Sequence, residues 1–460
     1  MEHHPTELSA EPAAVSAPDG RRPFVVIDAY NFGLERGTGV ATYGRNLSFG
    51  LRDIGCDVGV LYGGPFSAGR SSLLREIQFF ESQALTLSPL QRAWRRLRAS
   101  LAPSWNTAFE VPISGAVVSE GLASRLPHYD AIWNAPDLYL KAITQFNAFG
   151  AINRVSMRPT PDICHWTYPL PLRLRGTRNI YTLHDLVPLR LPHTTLDRKE
   201  RYFRLVKWIC RTASHIVTVS EHSKRDIVSL MNVDPEKVTN TYQAVSIPEE
   251  YRLKTEQEVQ RQVEGVYGLP YKEYFLFFGS IEPKKNVDRL IEAFVQSGVD
   301  TPLVVIRAQT WQTDRNSESL LTRLTGRHAQ PDSFPQAAGR VMRLEYVPFP
   351  QLVILIRGAK AVLFPSLYEG FGLPILESML LGTPVLSSRT SSIPEVAGDA
   401  ALLVDPYDAR AIADGVRALD SNDELRADLS ARGRRRAAMF SEAAYRQRLA
   451  NVYEKVLASG

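Results

Sequence analysis

Residues Phe364 to Asp405 read FPSLYEGFGLPILESMLLGTPVLSSRTSSIPEVAGDAALLVD, and their order decides the fold. A strand ends near Phe364. A glycine turn follows at Gly370 and Gly372. A helix then opens with Pro374 in its first turn, where a missing N–H costs nothing. The unpaired N–H groups of a helix start make an anion site, and glycine lets a phosphate come close to the backbone. Glu369 lies on the turn and Glu377 one turn into the helix, with seven residues between them. Carboxylates repel a diphosphate, so their expected partners are hydroxyl groups. Phosphate-binding amides flanked by two such carboxylates suit a nucleotide sugar, with ribose at one end and hexose at the other. Two surface glutamates on an exposed loop would explain an isolated pair more simply; the strand–glycine turn–helix setting argues against that.

Working outward, short apolar runs alternate with helical patterns on both sides of this stretch. Upstream and downstream of it lie YFLFF (274–278), LVVI (303–306), AVLF (361–364), PVLSS (384–388) and ALLV (401–404), with helices between them. An earlier series contains FVVID (24–28), a helix over 40–54, a strand over 58–62, and runs at 131–133, 163–166, 180–183 and 216–219. Such alternation predicts parallel sheets built from βαβ units. Two series joined by the polar stretch 249–265 predict an α/β protein of two Rossmann-like, doubly wound domains facing across a cleft. The expected divisions are a disordered tail over 1–22, an N-terminal domain over 23–250 with an insertion at about 65–125, and a C-terminal domain over 266–440. A last helix over 441–460 is expected to return to the N-terminal domain. Ligands of such sheets sit at the carboxyl ends of strands, which makes the cleft the expected site.

Composition excludes several classes. The 460 residues are 44% hydrophobic and 22% charged, those of an ordinary globular chain rather than a wholly disordered one. No apolar run reaches the ~18 residues of a membrane span. Three cysteines, far apart and without CxxC spacing, argue against a disulfide scaffold or a cysteine zinc site and for a reducing cytoplasm. The formal net charge of +5 suits an anionic small molecule, an anionic membrane surface or a nucleic acid equally well.

The segment EGFGLPILE resembles the retaining glycosyltransferases of family four, whose two-Rossmann architecture is called GT-B and whose hallmark is two glutamates separated by seven residues. The similarity continues through SSIPEVAGDAALLVDP, and upstream at FFGSIEPKKNVDRLIEAF (277–294), HDLVPL (184–189), VSEHSKRDI (219–227) and GTGVATYGRNL (37–47). It implies a donor site in the C-terminal domain and an acceptor site in the N-terminal one. Close-looking relatives often move mannose or a related deoxyhexose from a GDP donor in surface-polysaccharide synthesis; a UDP donor is the alternative. The implied co-substrate is thus a nucleotide sugar, with no separate cofactor and no nucleic acid. The implied acceptor is a glycan or a polyprenyl-linked glycan.

The resemblance assigns His184, Lys285 and Glu369 to the reaction centre. It assigns Gly39, Gly279, Lys285, Glu369, Gly370, Phe371, Gly372, Leu373 and Glu377 to the donor. Lys285 follows the strand YFLFF, where an ammonium can meet a diphosphate, and Asn286 after it is expected to cap the next helix. Family members often carry arginine where Ser280 stands here, so one cation is missing or comes from elsewhere. Gly37 and Gly39 form half of a dinucleotide fingerprint whose last glycine is replaced by Thr42, which argues against an NAD-dependent oxidoreductase. A non-catalytic polysaccharide-binding protein would be expected to lose Glu369, Glu377 or Lys285. The chain has no DxD and no ligand-spaced Cys/His cluster, so a metal-independent reaction is expected.

One further segment stands out. At 100° per residue Leu90, Trp94, Leu97 and Leu101 share a helix face, while Arg92, Arg95, Arg96 and Arg98 fill the rest. Such a helix can lie on anionic lipid, placing the protein at the inner face of the membrane. It also fits a helix packed on its own domain with solvated arginines, and the sequence leaves the two open. The run Arg432–Arg436 reads as an exposed helix face.

Overall fold

The computed structural model describes residues 14–32, 39–69, 71–84, 88–117, 126–195, 198–308, 340–344 and 347–459. Its N-terminal sheet runs in the order Val238–Asn240, His215–Thr218, Arg178–Thr182, Ile163–Trp166, Phe24–Asp28, Asp57–Tyr62, Ala131–Asn134 and Phe109–Val111. Every pairing is parallel except the last, where Phe109–Val111 runs antiparallel at the edge. The C-terminal sheet runs Val341–Leu344, Leu303–Ala308, Phe275–Ser280, Ala361–Phe364, Val385–Ser388 and Leu402–Val404, all parallel. Strands buried on both faces need no polar alternation, which is why Phe275, Leu276, Phe277 and Phe278 follow one another with almost no exposure. Each such side chain contributes about 1.5–3 kcal/mol of burial.

Two boundaries differ from the sequence reading. The tail is not disordered over its whole length. Residues 1–13 lie outside the described residues, but Val15 and Ala17 are buried, and the Val15 N–H donates to the Ile54 carbonyl at 2.9 Å. Two apolar side chains in an otherwise polar stretch sufficed to fasten it beside the helix Gly39–Asp53. The polar stretch 249–265 is not a bare linker either. It forms a helix over Glu256–Tyr267, capped by a Thr255–Glu258 box, whose Val259 and Val263 are buried. Val263 packs beside Gly358, at the end of the helix Phe349–Gly358, so this element extends the C-terminal domain backwards.

The insertion holds helices Ser72–Ala84 and Pro89–Leu101, and Trp105–Thr107 joins a small parallel sheet with Asn153–Ser156 and Leu172–Leu174. The last helix, Glu442–Ala458, lies on the first: Leu449 and Tyr445 crowd Gly50, where an added Cβ would meet them at 3.2 and 3.4 Å. Buried polar contacts run from the sheet to this helix. Tyr43 bonds Thr182 at 2.8 Å, Thr182 bonds His165 at 2.7 Å, and His165 bonds Tyr453 at 2.6 Å. Burial lowers the His165 pKa to about 3, so this imidazole is neutral.

Candidate active site

In each sheet the strand order reverses beside its first strand, and loops at the carboxyl ends of the strands there form a crevice. In the C-terminal sheet the crevice lies between Phe275–Ser280 and Ala361–Phe364, which pair directly. Lys285 follows the first of these strands and Glu369 the second. Lys285 Nζ lies 2.6 and 2.9 Å from the two Glu369 carboxylate oxygens and 5.0 Å from the Phe364 ring centroid. Both side chains are nearly closed off, at 13% and 8% exposure, so each charge depends on the other for compensation.

Asn286 stands at the N-cap position of Val287–Ser297, but its side chain does not cap. Its φ of 61° is left-handed, and its amide donates to the Pro365 carbonyl at 3.0 Å and the Pro406 carbonyl at 2.7 Å. The expected capping role is thus replaced by a clamp that ties the Lys285 turn to the loop leading to Glu369. Two serines hold that loop. The Glu369 N–H donates to Ser391 Oγ at 3.0 Å, and Ser392 Oγ donates to the Glu369 and Phe371 carbonyls at 2.9 and 3.1 Å.

The helix Leu373–Leu380 begins at Gly372, whose φ of 107° favours glycine, and no side chain caps it. Pro374 has no N–H, and the Ile375 N–H is spent on the Gly372 carbonyl at 3.0 Å. The donors left for an anion are therefore amides of the turn itself. Phe371 keeps only its backbone for that purpose, because its ring is buried against Tyr242 and Phe440. Gly279, with a φ of 146°, ends its strand with Phe364 3.9 Å from where a Cβ would stand.

Glu377 is half-buried and has no ionic or hydrogen-bond partner for its carboxylate among the described residues. Burial alone pushes its pKa up to about 7. A carboxyl at 4.5 in the unfolded chain and about 7 in the folded one takes up a proton on folding between these values. Stability therefore falls as pH rises from 4.5 to 7 and levels off above. Glu377→Gln is expected to stabilise the ligand-free protein by up to about 3 kcal/mol at pH 8 and by little at pH 4.5. Thermal melts across this range check it; a pH-independent difference would show that the carboxyl is not strained.

The N-terminal domain closes the crevice. His184 follows Arg178–Thr182 and donates Nε2–H to the Thr167 carbonyl at 3.0 Å. A carbonyl only accepts, so this bond fixes the tautomer and leaves Nδ1 as the ring's acceptor. Burial lowers the His184 pKa, against the opposing effects of the Thr167 bond and Asp185. Tyr43 meets the imidazole edge-on at 4.8 Å. Asp185 and the His184 carbonyl face Gly370, and a Cβ there would meet both at 2.9 Å. Gly39 opens its helix opposite Leu373, whose Cδ1 lies 3.9 Å from a Cβ built at Gly39. The structure thus gathers His184, Lys285, Glu369, Gly39, Gly370 and Leu373 around one crevice; Gly37 lies outside the described residues.

Several residues found here lie in segments already quoted but had no site role assigned from the sequence. Glu395 accepts from the Glu221 and His222 N–H groups at 2.6 and 2.9 Å, placing a carboxylate on a helix N-terminus across the domain boundary. Tyr368 donates to Asp226, and Ser223 to the Gly370 carbonyl at 3.4 Å. Arg436 holds the Val396 carbonyl at 2.9 Å and also the Glu395 carbonyl. The basic run 432–436 is therefore not merely an exposed face. Lys284 sits near Asp185, Glu369 and Glu282; burial pulls its pKa down, but these three carboxylates outweigh it and the net shift is upward. At the position across from Gly279 in the adjoining strand stands Arg307. Arg307 is thus a cation one register position from Ser280, at the end of the neighbouring strand.

Two family models match the chain: "Glycosyltransferase Family 4" over residues 37–247 and "Glycosyl transferases group 1" over residues 336–436. O-antigen chain mannosyltransferase B of Escherichia coli is 32% identical over 277 residues, 59% of this chain and 68% of that protein. O-antigen chain mannosyltransferase RfbU of Salmonella typhimurium is 29% identical over 54% of this chain and 62% of its own length. Among solved structures, sucrose-phosphate synthase from Thermosynechococcus elongatus superposes with a TM-score of 0.63 at 16% identity, covering 96% of this chain and all of that one. HepE of Anabaena in complex with UDP-glucose gives 0.61 at 16% identity, over 94% of this chain and all of that one. These structural likenesses establish the GT-B fold.

Proposed function

Because the chain belongs to glycosyltransferase family 4, we propose that it moves mannose or a related deoxyhexose, with retention, from a nucleoside-diphosphate donor to a glycan or polyprenyl-linked glycan. The observation that carries this reading is the Lys285–Glu369 pair at the switch point of one sheet, facing His184 and Asp185 from the other. Lys285 meets the diphosphate together with turn amides around Gly370, Phe371, Gly372 and Leu373; Gly279 and Gly39 let the donor pass close to the backbone. Glu369 accepts from sugar hydroxyls, and His184 offers Nδ1 to another. Glu377, a carboxyl without a partner among the described residues, accepts from the ribose. The mannosyltransferase names of the relatives favour mannose, and with it a GDP donor over a UDP one.

Incubation with GDP-mannose, GDP-fucose, UDP-glucose and UDP-galactose, following release of free nucleotide, tests the donor. Release from a GDP-sugar well above that from the UDP-sugars is expected; the reverse order would overturn the GDP assignment. The leaving charge is met by Lys285, so the rate is expected to persist in EDTA. Complete loss in EDTA, restored by magnesium or manganese, would refute a metal-independent reaction. Glu377→Ala is expected to weaken GDP binding by ~1.5–3 kcal/mol, the scale of a hydrogen bond to a charged group. Unchanged affinity in calorimetry would remove Glu377 from the ribose.

A further inference from the structure

A cavity of about 470 Å³ lies wholly in the N-terminal domain. Its walls include Tyr30, Phe146, Tyr168, Arg198, Arg201 and Tyr202. Tyr30 comes two residues after the strand Phe24–Asp28, and Tyr168 two residues after Ile163–Trp166. These strands are parallel neighbours, so the cavity opens at the carboxyl ends of the pair where this sheet changes direction. The two tyrosine rings stack at 5.8 Å with 28° between planes, and Tyr139 closes on Tyr30 edge-on at 5.4 Å. Asp28 fixes the floor: it accepts from the Tyr30 N–H at 3.1 Å and from the Thr167 N–H.

Hydrogen bonds tie these walls to the crevice. Thr167, beside Tyr168, is the residue whose carbonyl holds His184. Tyr202 donates its hydroxyl to the Asp185 carbonyl at 3.2 Å. The cavity walls are thus bonded to both residues that face Gly370.

The lining carries two arginines and no carboxylate. Neither Arg198 nor Arg201 forms an ion pair among the described residues. Glu200, between them in sequence, is instead 3.7 Å from Arg204. Aromatic faces beside unpaired guanidinium groups suit a ligand with one apolar ring face and one anion. A sugar ring presents C–H groups to an aromatic face, and a guanidinium grips a phosphate through two parallel N–H donors.

We infer that this cavity is the acceptor subsite and that it takes a glycosyl phosphate, with the sugar on Tyr30 and Tyr168 and the phosphate on Arg198 and Arg201. The inference rests on the transferase reading above. It adds that the acceptor is recognised by its charge as well as by its sugar. The same chemistry is found in a soluble sugar phosphate and in a lipid-linked one.

Calorimetry with three probes separates the outcomes: mannose 1-phosphate, methyl α-mannoside and dodecyl mannosyl phosphate. The wild type is expected to bind mannose 1-phosphate at least about tenfold more tightly than the neutral methyl glycoside. The double variant Arg198→Gln, Arg201→Gln is expected to lose that preference while melting at the wild-type temperature, because both side chains reach solvent. Tighter binding of the dodecyl compound than of mannose 1-phosphate would assign the lipid-linked source, and equal binding the soluble one. Equal affinity of the wild type for the charged and neutral probes would overturn the inference, as would a variant that keeps its preference. Nucleotide release by the wild type from a donor alone keeps the two readings apart. If it fails for every donor, the transferase reading falls; if it succeeds while the probes bind alike, the subsite falls.

Discussion

Lys285→Ala is expected to slow transfer by at least about a hundredfold, the scale of losing one preorganised donor to a developing charge. Negative charge accumulates on the diphosphate as the glycosidic bond breaks, so the ammonium is worth more in the transition state than in the bound donor. The loss should therefore fall on kcat more than on KM. The same ammonium sits between the two Glu369 oxygens, and a diphosphate must draw it partly away. Glu369→Gln should accordingly leave nucleotide affinity equal or improved while turnover falls, because the released lysine gains freedom and the sugar loses an acceptor. Truncating Lys285 also leaves Glu369 as a nearly buried, uncompensated carboxylate, which costs stability. Lys285→Ala combined with Glu369→Gln should recover that stability without recovering the rate. A silent Lys285→Ala beside a damaging Lys284→Ala would move the role one residue back. If Arg307 carries the missing cationic role, Arg307→Ala should lower the rate further on top of Lys285→Ala.

How much of this was legible in the sequence depended on the range of the contacts involved. The strand ending at Phe364 and the helix opening around Pro374 were readable because parallel strands are bare apolar runs and glycine turns punctuate them locally. The clamp by Asn286 was not. An asparagine before a helix is the usual capping signature, and nothing local distinguishes a left-handed residue whose amide reaches carbonyls 79 and 120 positions away. Glu395 likewise sits in a motif that was noticed, but its partners are 174 and 173 residues distant. The strands of the small sheet, three or four residues each, are too short to show a period. Two of the segments that resemble family members, VSEHSKRDI and SSIPEVAGD, touch each other through Glu395. Each made sense only once the other was placed beside it.

The protein is expected to attach reversibly to an anionic bilayer through the helix Pro89–Leu101, and the structure sharpens which charges matter. A capping box between Ser88 and Gln91 starts this helix, and Gln145 anchors its end by donating to the Ala99 and Ala102 carbonyls at 2.8 and 2.7 Å. Arg95 is committed to Asp137, contrary to the expectation of four solvated arginines, and it sets the roll of the helix. The roll turns the apolar face outward. Leu90, Trp94, Leu97 and Leu101 are 76%, 65%, 52% and 76% exposed. The helix thus packs on its domain through Ala99, Arg95 and Gln145 while this apolar face points outward. Arg92, Arg96 and Arg98 remain exposed beside this face, without ion pairs among the described residues, and each contributes about 1 kcal/mol at an anionic surface. Together they amount to about 3 kcal/mol, a change of the order of a hundredfold in binding that high salt should remove. Among the described residues no helix is long and apolar enough to cross a membrane, so these contacts and the apolar face would carry the attachment. Sedimentation with phosphatidylglycerol liposomes should pellet the wild type at low salt. Arg92→Ser, Arg96→Ser and Arg98→Ser combined should stay in the supernatant, and Trp94→Ser should weaken binding even with the charges intact. Neither variant should lower the melting temperature, since none of these side chains packs against the domain. Equal pelleting of wild type and triple variant, or none by the wild type, would refute attachment through this helix.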